Sequence, residues 1–367
     1  MRSRVDRRNI QRNGGIMDRF AVLPASEKTP YFDTMADRLG ILPEMVEKDF
    51  WVCWTLEKLF SLKNIGARIT FKGGTSLSKC YNAIERFSED VDIAIERKFL
   101  ARPDKPERRA GEHGKDIEPS VDVSNKENQR RIEELMASAR AAIRKQFLPE
   151  LRRQVEKILG KSDQWSIDLD PKDPLEQTLL FVFPKAAIKT DREYVMPIVK
   201  IELGARSDDW PAQSVQVSPY VADILRDALA VQPITVKVLS AERTFWEKAM
   251  ILHRLYHSPE DKAVSKRMSR HYYDLCAMNK AGIFEKALKD VKLMQSVVEF
   301  NRLFFRYSWL NYDEAKRGSF RLIPKDAERI KSLKADYRQM EQMFFKDQPA
   351  FDEIVTALKK MEDRINQ

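Results

Sequence analysis

Cysteines and long apolar runs are both scarce in this sequence, and each shortage excludes a class of protein. Only three cysteines occur among 367 residues, at Cys53, Cys80 and Cys276, and none forms a Cys-x-x-Cys pair. An odd number without paired spacing predicts reduced thiols rather than a disulfide framework or a cysteine metal site. No apolar run approaches the roughly 20 residues that a membrane-crossing helix needs. No apolar core follows the basic N-terminus, as it would in a secretory signal, so we expect a cytoplasmic protein without membrane association.

The composition is that of a globular protein with a moderate positive charge. Hydrophobic residues make up 43% of the chain and charged residues 33%, and the length predicts one large domain plus a second. The formal net charge of +9 permits a polyanionic partner. Residues 1–16 are rich in arginine and lack an apolar period, which predicts a disordered basic tail or an over-long start upstream of Met17; a basic arm for RNA is the alternative.

Periodicity predicts a sheet in the first two thirds of the chain and helices in the last third. Spacings of three and four predict a core helix over 43–62, and alternation predicts strands over 68–72 and 91–95. Gly73 and Gly74 mark a turn between the first of these strands and a helix at 76–84. A charged stretch over 97–130 is predicted as a loop or insertion. Further strands are predicted over 165–169, 178–183 and 196–203, and further helices over 128–148 (with Pro149 ending or kinking it before 159), 239–256, 269–278, 327–345 and 350–365.

Three carboxylates in the predicted sheet suit the binding of divalent cations. Asp90 lies just before a predicted strand and Asp92 lies within it. Because the two are two residues apart, their side chains project from the same face of the sheet. Glu202 lies on the polar face of a later strand and would complete the set. Nucleotidyl transfer uses two divalent ions that activate the attacking hydroxyl and neutralise charge on the transferred phosphate. Magnesium is the ion that such oxygen ligands favour.

The segment before these carboxylates has the residues of a phosphate-binding turn. Gly73 and Gly74 let the backbone approach a phosphate, and amides at the start of the following helix would face it. Thr75 and Ser76 add hydroxyl donors, and Lys79 adds a positive charge. Taken singly, a Gly-Gly pair is usually a plain turn and an Asp-x-Asp a solvated edge. Their order between two strands is what favours a nucleotide site.

Four segments in order resemble the motifs of a known family. GGTSLSK followed by RFSEDVDIAI resembles the first motif of the AbiEii/AbiGii-type toxin nucleotidyltransferases, which include the MenT toxins and belong to the DNA polymerase β-like superfamily. VKIELGARSD resembles the second motif, TFWEK the third and RHYYDL the fourth, over roughly 200 residues. VEKDFWVCWTLEKLF precedes the first motif, as in such proteins.

The resemblance implies roles for the matching positions. Gly74, Thr75 and Ser76 would hold the triphosphate, and Asp90 and Asp92 would bind metal. In the second motif, Lys200 would bind nucleotide and Glu202 would serve as third metal ligand or as base. In the third, Lys248 would contact a nucleotide phosphate. In the fourth, Asp274 would be an active-site acid without an assigned role. Without the family pattern, Lys248 reads as a surface lysine and Asp274 as half of a helix pair with Arg270. His253 and His257 lack an acidic partner at zincin spacing and are predicted to be ordinary histidines.

The sequence therefore predicts an α+β protein with a nucleotidyltransferase-type mixed sheet, flanking helices and a helical C-terminal domain. The expected division is a tail at 1–16, a nucleotidyltransferase domain at 17–232 and a helical domain at 233–367. The resemblance implies a toxin of a toxin–antitoxin or phage-defence system that transfers a nucleoside monophosphate from a triphosphate to RNA, at the 3′ end of tRNA, with a cognate antitoxin. The alternatives are transfer to a protein hydroxyl and a non-catalytic nucleotide- or RNA-binding module.

Overall fold

The computed structural model describes residues 15–101, 117–188, 196–224, 232–345 and 348–367. Its contacts divide the chain into two compact units, which we describe separately. The sheet unit is formed by the described residues within 1–75, 89–118 and 133–238, and the helical unit by those within 76–88, 119–132 and 239–367. The predicted α+β class is confirmed. The predicted domain boundary at 232/233 stays a prediction, and most of the predicted tail lies outside the described residues.

Within the described residues, seven strands form one mixed sheet in the order β3-β4-β5-β2-β1-β7-β6. The central strand β2 pairs antiparallel with β1 on one side and parallel with β5 on the other. The strands are β1 Ile69–Lys72, β2 Val91–Ile95, β3 Ser166–Leu169, β4 Thr178–Val182, β5 Ile198–Gly204, β6 Ala212–Val217 and β7 Ile234–Leu239. The five predicted strands correspond to β1 to β5. The last two strands were not predicted from the sequence.

Seven helices come before the C-terminal part within the described residues. They are α1 Ile16–Ala21, α2 Ala25–Leu39, α3 Pro43–Phe60, α4 Gly73–Lys79, α5 Arg97–Leu100, α6 Asn125–Ala142 and α7 Leu148–Leu159. A π-helical turn, Ile143–Phe147, joins α6 to α7. The expected break near Pro149 is confirmed, because a new helix, α7, begins at Leu148 with this proline in its first turn. The predicted insertion over 97–130 contains α5 and the start of α6, and its residues 102–116 lie outside the described ones.

Helix α3 carries much of the core of the sheet unit, as its sequence predicts. Trp51 and Trp54 are fully buried. The ring of Trp51 stacks on Phe183 with centroids 5.4 Å apart, and Trp54 stacks on Phe181 at 5.7 Å. Phe181 lies on β4, so these aromatic contacts fix α3 against the sheet that carries the candidate site.

Six helices make up most of the described helical unit. They are α8 Ala241–His257, α9 Ser269–Lys280, α10 Ile283–Lys289, α11 Val291–Phe304, α12 Ala327–Arg338 and α13 Phe351–Ile365. Leu333, Tyr337 and Met340, spaced three and four residues apart in and just after α12, are buried in the core. The helix predicted over 327–345 ends early, at Arg338, and α10 and α11 were not predicted. None of the helices in the described ranges is long and apolar enough to cross a membrane.

Candidate active site

The register of the sheet places polar residues from three strands in one row. Lys72 on β1 is opposite Asp92 on β2, and Asp92 is in turn opposite Glu202 on β5. Residues opposite one another in paired strands point to the same face of a sheet. The structure therefore brings the carboxylates of Asp92 and Glu202 to neighbouring positions, although they are 110 residues apart in the numbering. Both are half-buried.

Lys200, in the second motif, interacts electrostatically with carboxylates of both the second and the first motif. Its Nζ donates to Oε1 of Glu202 at 2.6 Å. Partial burial alone would lower the pKa of Lys200, but the carboxylates of Glu202 and Asp90 outweigh burial and raise it. Lys200 thus remains a cation, and Asp90, Lys200 and Glu202 form one electrostatic group on the sheet.

The glycine segment packs directly against the two aspartates. Gly73 has a φ of +78°, and a Cβ placed on it would lie 1.9 Å from Oδ2 of Asp92. A residue with a side chain would therefore meet both an unfavourable backbone conformation and a clash. The prediction of a Gly-Gly turn before a helix at 76–84 is wrong, because α4 begins at Gly73 itself and ends at Lys79.

The hydroxyl of Thr75 supports this arrangement. Its Oγ1 donates to the backbone oxygen of Asp90 at 2.6 Å, and Thr75 and Ser76 are both buried. Thr75 therefore holds the start of the aspartate strand in place. The triphosphate-binding roles predicted for Gly73, Gly74, Thr75, Ser76 and Lys79 stay predictions.

The close approach of Gly73 to Asp92 gives a testable prediction. Gly73→Ala should lower the free energy of unfolding by more than Gly40→Ala does, and should abolish transfer activity. Gly40 is a matched control because its φ is +67° and nothing lies within 4 Å of its added Cβ. The control should lose only the conformational term of about 1–2 kcal/mol. Chemical denaturation measures the first effect and a transfer assay the second. If both variants lost the same free energy of unfolding and Gly73→Ala kept normal activity, the predicted clash would be wrong.

A metal ion was predicted at Asp90, Asp92 and Glu202. Among the residues that the structure describes, no three His, Cys, Asp or Glu side chains are grouped so that they could hold a metal ion together. Magnesium, however, is commonly bound by one or two carboxylates plus substrate phosphates and water. Asp90 and Asp92 supply carboxylates of the kind that this smaller set needs, and Asp92 lies against Gly73; Glu202 accepts a hydrogen bond from Lys200. The ion and its ligands stay predictions.

In the helical unit, Asp274 lies at the centre of a buried charge cluster. Arg86 donates to it through Nε and Nη2, both at 2.8 Å, and Nζ of Lys248 lies 2.8 Å from Oδ2. The pairing of Asp274 with Arg270 considered from the sequence stays a prediction, and the structure adds a bidentate partner, Arg86, from a distant segment. Reading Lys248 as a surface lysine is also wrong, since it is buried.

The charges in this cluster alter one another's ionisation. Burial alone would raise the pKa of Asp274, but Arg86 and Lys248 outweigh it and lower that pKa. Burial lowers the pKa of Lys248 despite the carboxylate beside it. Burial, together with Lys248 nearby, also holds the pKa of His271 well below its usual range, and Nδ1 of His271 lies 3.5 Å from Nζ of Lys248. The cluster thus contains one ionised carboxylate that balances buried cations.

Sequence reasoning missed Arg86, although it lies inside the quoted RFSED segment. Its side chain is 2% exposed. A single arginine in a polar loop gives no sequence signal of burial, because arginine is usually exposed unless it is paired. Asp90, Asp92 and Glu202 belong to the sheet unit and Lys248 and Asp274 to the helical unit. That all five act in one active site, as the family resemblance implies, therefore stays a prediction.

The histidine pair of α8 packs inside the helical unit. His253 is fully buried, and its Nδ1 accepts a hydrogen bond from the backbone N–H of Arg321 at 3.0 Å. Its ring centroid is 4.6 Å from that of His257. Burial, reinforced by His257, lowers the pKa of His253 to about 3. This histidine is therefore neutral in the folded protein at physiological pH.

A neutral buried histidine predicts loss of stability in mild acid. The folded-state pKa of His253 is below its ordinary value of 6.5, so below that pH the unfolded chain binds a proton that the folded chain does not. His253 should account for a loss of about 1.4 kcal/mol in the free energy of unfolding by about pH 5.5, and this loss should grow until about pH 3. Urea denaturation across this range should show a weaker pH dependence for His253→Gln than for the unaltered protein. Identical pH dependences would contradict this assignment.

One family model matches most of the chain. The family model of the nucleotidyl transferase AbiEii toxin, type IV toxin–antitoxin system, matches residues 54–357. The matched range contains every residue of the candidate site, from Gly73 to Asp274. A comparison with individually curated proteins finds no match.

Proposed function

Because the chain belongs to the family of AbiEii nucleotidyl transferase toxins of type IV toxin–antitoxin systems, we propose that it transfers a nucleoside monophosphate from a triphosphate to RNA. The observation that carries this proposal is the row of Asp92 and Glu202 on neighbouring strands, with the Gly73 backbone against Asp92. This arrangement puts a carboxylate directly against the glycine segment that we propose to hold the phosphates. We assign the enzyme to the nucleotidyltransferases that release pyrophosphate.

In the proposed reaction, an acceptor hydroxyl oxygen forms a bond to the α-phosphorus, and the bond from that phosphorus to the bridging oxygen of pyrophosphate breaks. Asp90 and Asp92 would hold magnesium, which when bound neutralises charge on the transferred phosphate and favours ionisation of the hydroxyl. Glu202 would accept the hydroxyl proton at its carboxylate. Lys200, which donates to Glu202, would orient that carboxylate toward the acceptor and would offer positive charge to the phosphates.

RNA is the favoured acceptor on two grounds. The chain carries a net charge of +9, and lysines and arginines that neutralise phosphates release counterions and so favour binding to nucleic acid. The four motifs resemble toxins of the MenT type, and we extend this likeness to the 3′ end of tRNA as the acceptor. The same likeness predicts a cognate antitoxin protein and a role in toxin–antitoxin or phage-defence systems.

The acceptor can be tested directly. The full chain is incubated with magnesium, each of the four α-labelled triphosphates, and either total tRNA or proteins from a lysate. We expect label on tRNA with one or more triphosphates, and loss of label when magnesium is chelated. Label on protein alone would overturn the RNA assignment and favour transfer to a protein hydroxyl.

A further inference from the structure

A cluster of aromatic rings and cations occurs on the helical unit, outside the motifs. Tyr307 and Trp309 follow the end of α11, and their rings stack with centroids 4.8 Å apart at an angle of 29°. Both side chains are part-exposed. Two stacked rings that remain accessible to solvent give little to the core, so their contribution to folding does not by itself explain the pair.

Two cations lie over these rings. Nζ of Lys262 is 5.7 Å from the centroid of Tyr307 and 5.5 Å from that of Trp309. The guanidinium of Arg254 is 5.4 Å from the Tyr307 ring and 5.6 Å from that of Phe305. Lys262 is exposed and lies in the segment between α8 and α9. The two cations are thus close enough to the rings to bind the phosphate of a nucleotide whose base stacks there.

A groove begins at the same tyrosine. It has a volume of about 490 Å³ and is lined by Tyr307, Arg306, Arg302 and asparagines that include Asn125. Arg302 pairs with Asp313 at 2.6 Å and with Glu299 at 3.4 Å, so its charge is offset within the protein. Arg306 is exposed and extends the positive charge of the ring cluster along the groove.

We propose that Tyr307, Trp309, Lys262, Arg254 and Arg306 form a binding surface for a single-stranded segment of the RNA substrate. Sites for single strands combine aromatic rings, on which bases stack, with a positively charged groove that follows the phosphates. Both parts occur together here, and the charges suit a polyanion better than an apolar peptide. This surface deepens the proposed function and rests on it, because it says which part of the chain holds the acceptor strand.

Binding to a fluorescein-labelled single-stranded oligoribonucleotide tests the surface without any triphosphate. Fluorescence anisotropy with the full chain should show a Kd at least about fivefold higher for Trp309→Ala. Trp309→Phe, which keeps a ring for stacking, should bind nearly as well as the unaltered protein. Lys262→Gln should reduce the slope of log Kd against log salt by about one. The controls are Trp165→Ala and Lys161→Gln in the sheet unit; Trp165 is also part-exposed and Lys161 is exposed, and neither change should alter binding.

The transfer assay separates failure of this surface from failure of the proposed function. Trp309→Ala should raise the KM for RNA with little change in kcat. If tRNA is labelled but Trp309→Ala has the KM and Kd of the unaltered protein, the surface is wrong and the function stands. If the oligonucleotide binds through these residues but no triphosphate labels RNA, the function is wrong and the surface stands. If the variants of this surface bound RNA normally and lost only the binding of a protein partner, the assignment of the surface to RNA would also be wrong.

Discussion

Asp92→Asn should reduce nucleotidyl transfer by at least about a hundredfold while leaving the fold intact. The change keeps the size of the side chain, so the close approach to Gly73 is preserved. It removes the negative charge that a bound cation requires, and an amide is a weaker ligand for magnesium than a carboxylate. Asp90→Asn should have a similar effect, since both carboxylates are proposed to hold the ion.

Transfer of label from a triphosphate to tRNA measures this effect, and thermal unfolding checks that the protein is folded. Asp168→Asn is a matched control, because Asp168 is an exposed aspartate on β3 of the same sheet. It should retain full activity. If Asp90→Asn and Asp92→Asn both kept full activity and cellular toxicity, the chain would have to be read as a non-catalytic binding module.

The second large effect concerns stability. Asp274→Asn should lower the free energy of unfolding by about 3–5 kcal/mol, because removing one partner leaves buried charges uncompensated. Arg86 and Lys248 are 2% and 8% exposed and both bind this carboxylate within 3 Å. Lys248→Met should be less damaging, since it removes a buried cation and leaves the bidentate pair in place.

Urea denaturation at neutral pH measures this loss. Glu285→Gln is the control, because Glu285 and Arg364 form an exposed ion pair and such pairs contribute little to stability. The lowered pKa of Asp274 means that its contribution is complete above its ordinary value of 3.8 and is lost only as the pH falls through the folded-state pKa. An Asp274→Asn protein with unchanged stability and no activity would contradict this structural role and favour the catalytic role that the family resemblance implies.

Local pattern alone predicted much of the sheet. The limits of β2 were predicted to the residue, because apolar β-formers bounded by polar residues favour a buried strand whatever lies around them. The unpredicted β6, Ala212–Val217, has no such pattern, since half of its residues are polar and all except Val217 are half-exposed or exposed. Its pairing depends on an edge position in the sheet, which the sequence does not encode locally.

The start of α4 was predicted wrongly for a similar reason. Glycines favour turns, but here Gly73 begins a helix with a φ of +78°, and an added Cβ would clash with Asp92. The sequence showed that glycine was needed at this point. It did not show that the neighbour requiring it was an aspartate from the next strand.

By itself, the sequence determined the family, the α+β class and the identity of the charged residues, since motifs and periodicity are properties of residues close together in the chain. The tertiary structure decided which of those residues are neighbours. Strand register placed Asp92 beside Glu202, and packing buried Asp274 against Arg86, which is 188 residues away in the chain. Contacts between residues far apart in the chain arise only when the elements pack, and for that reason no local pattern could have revealed them.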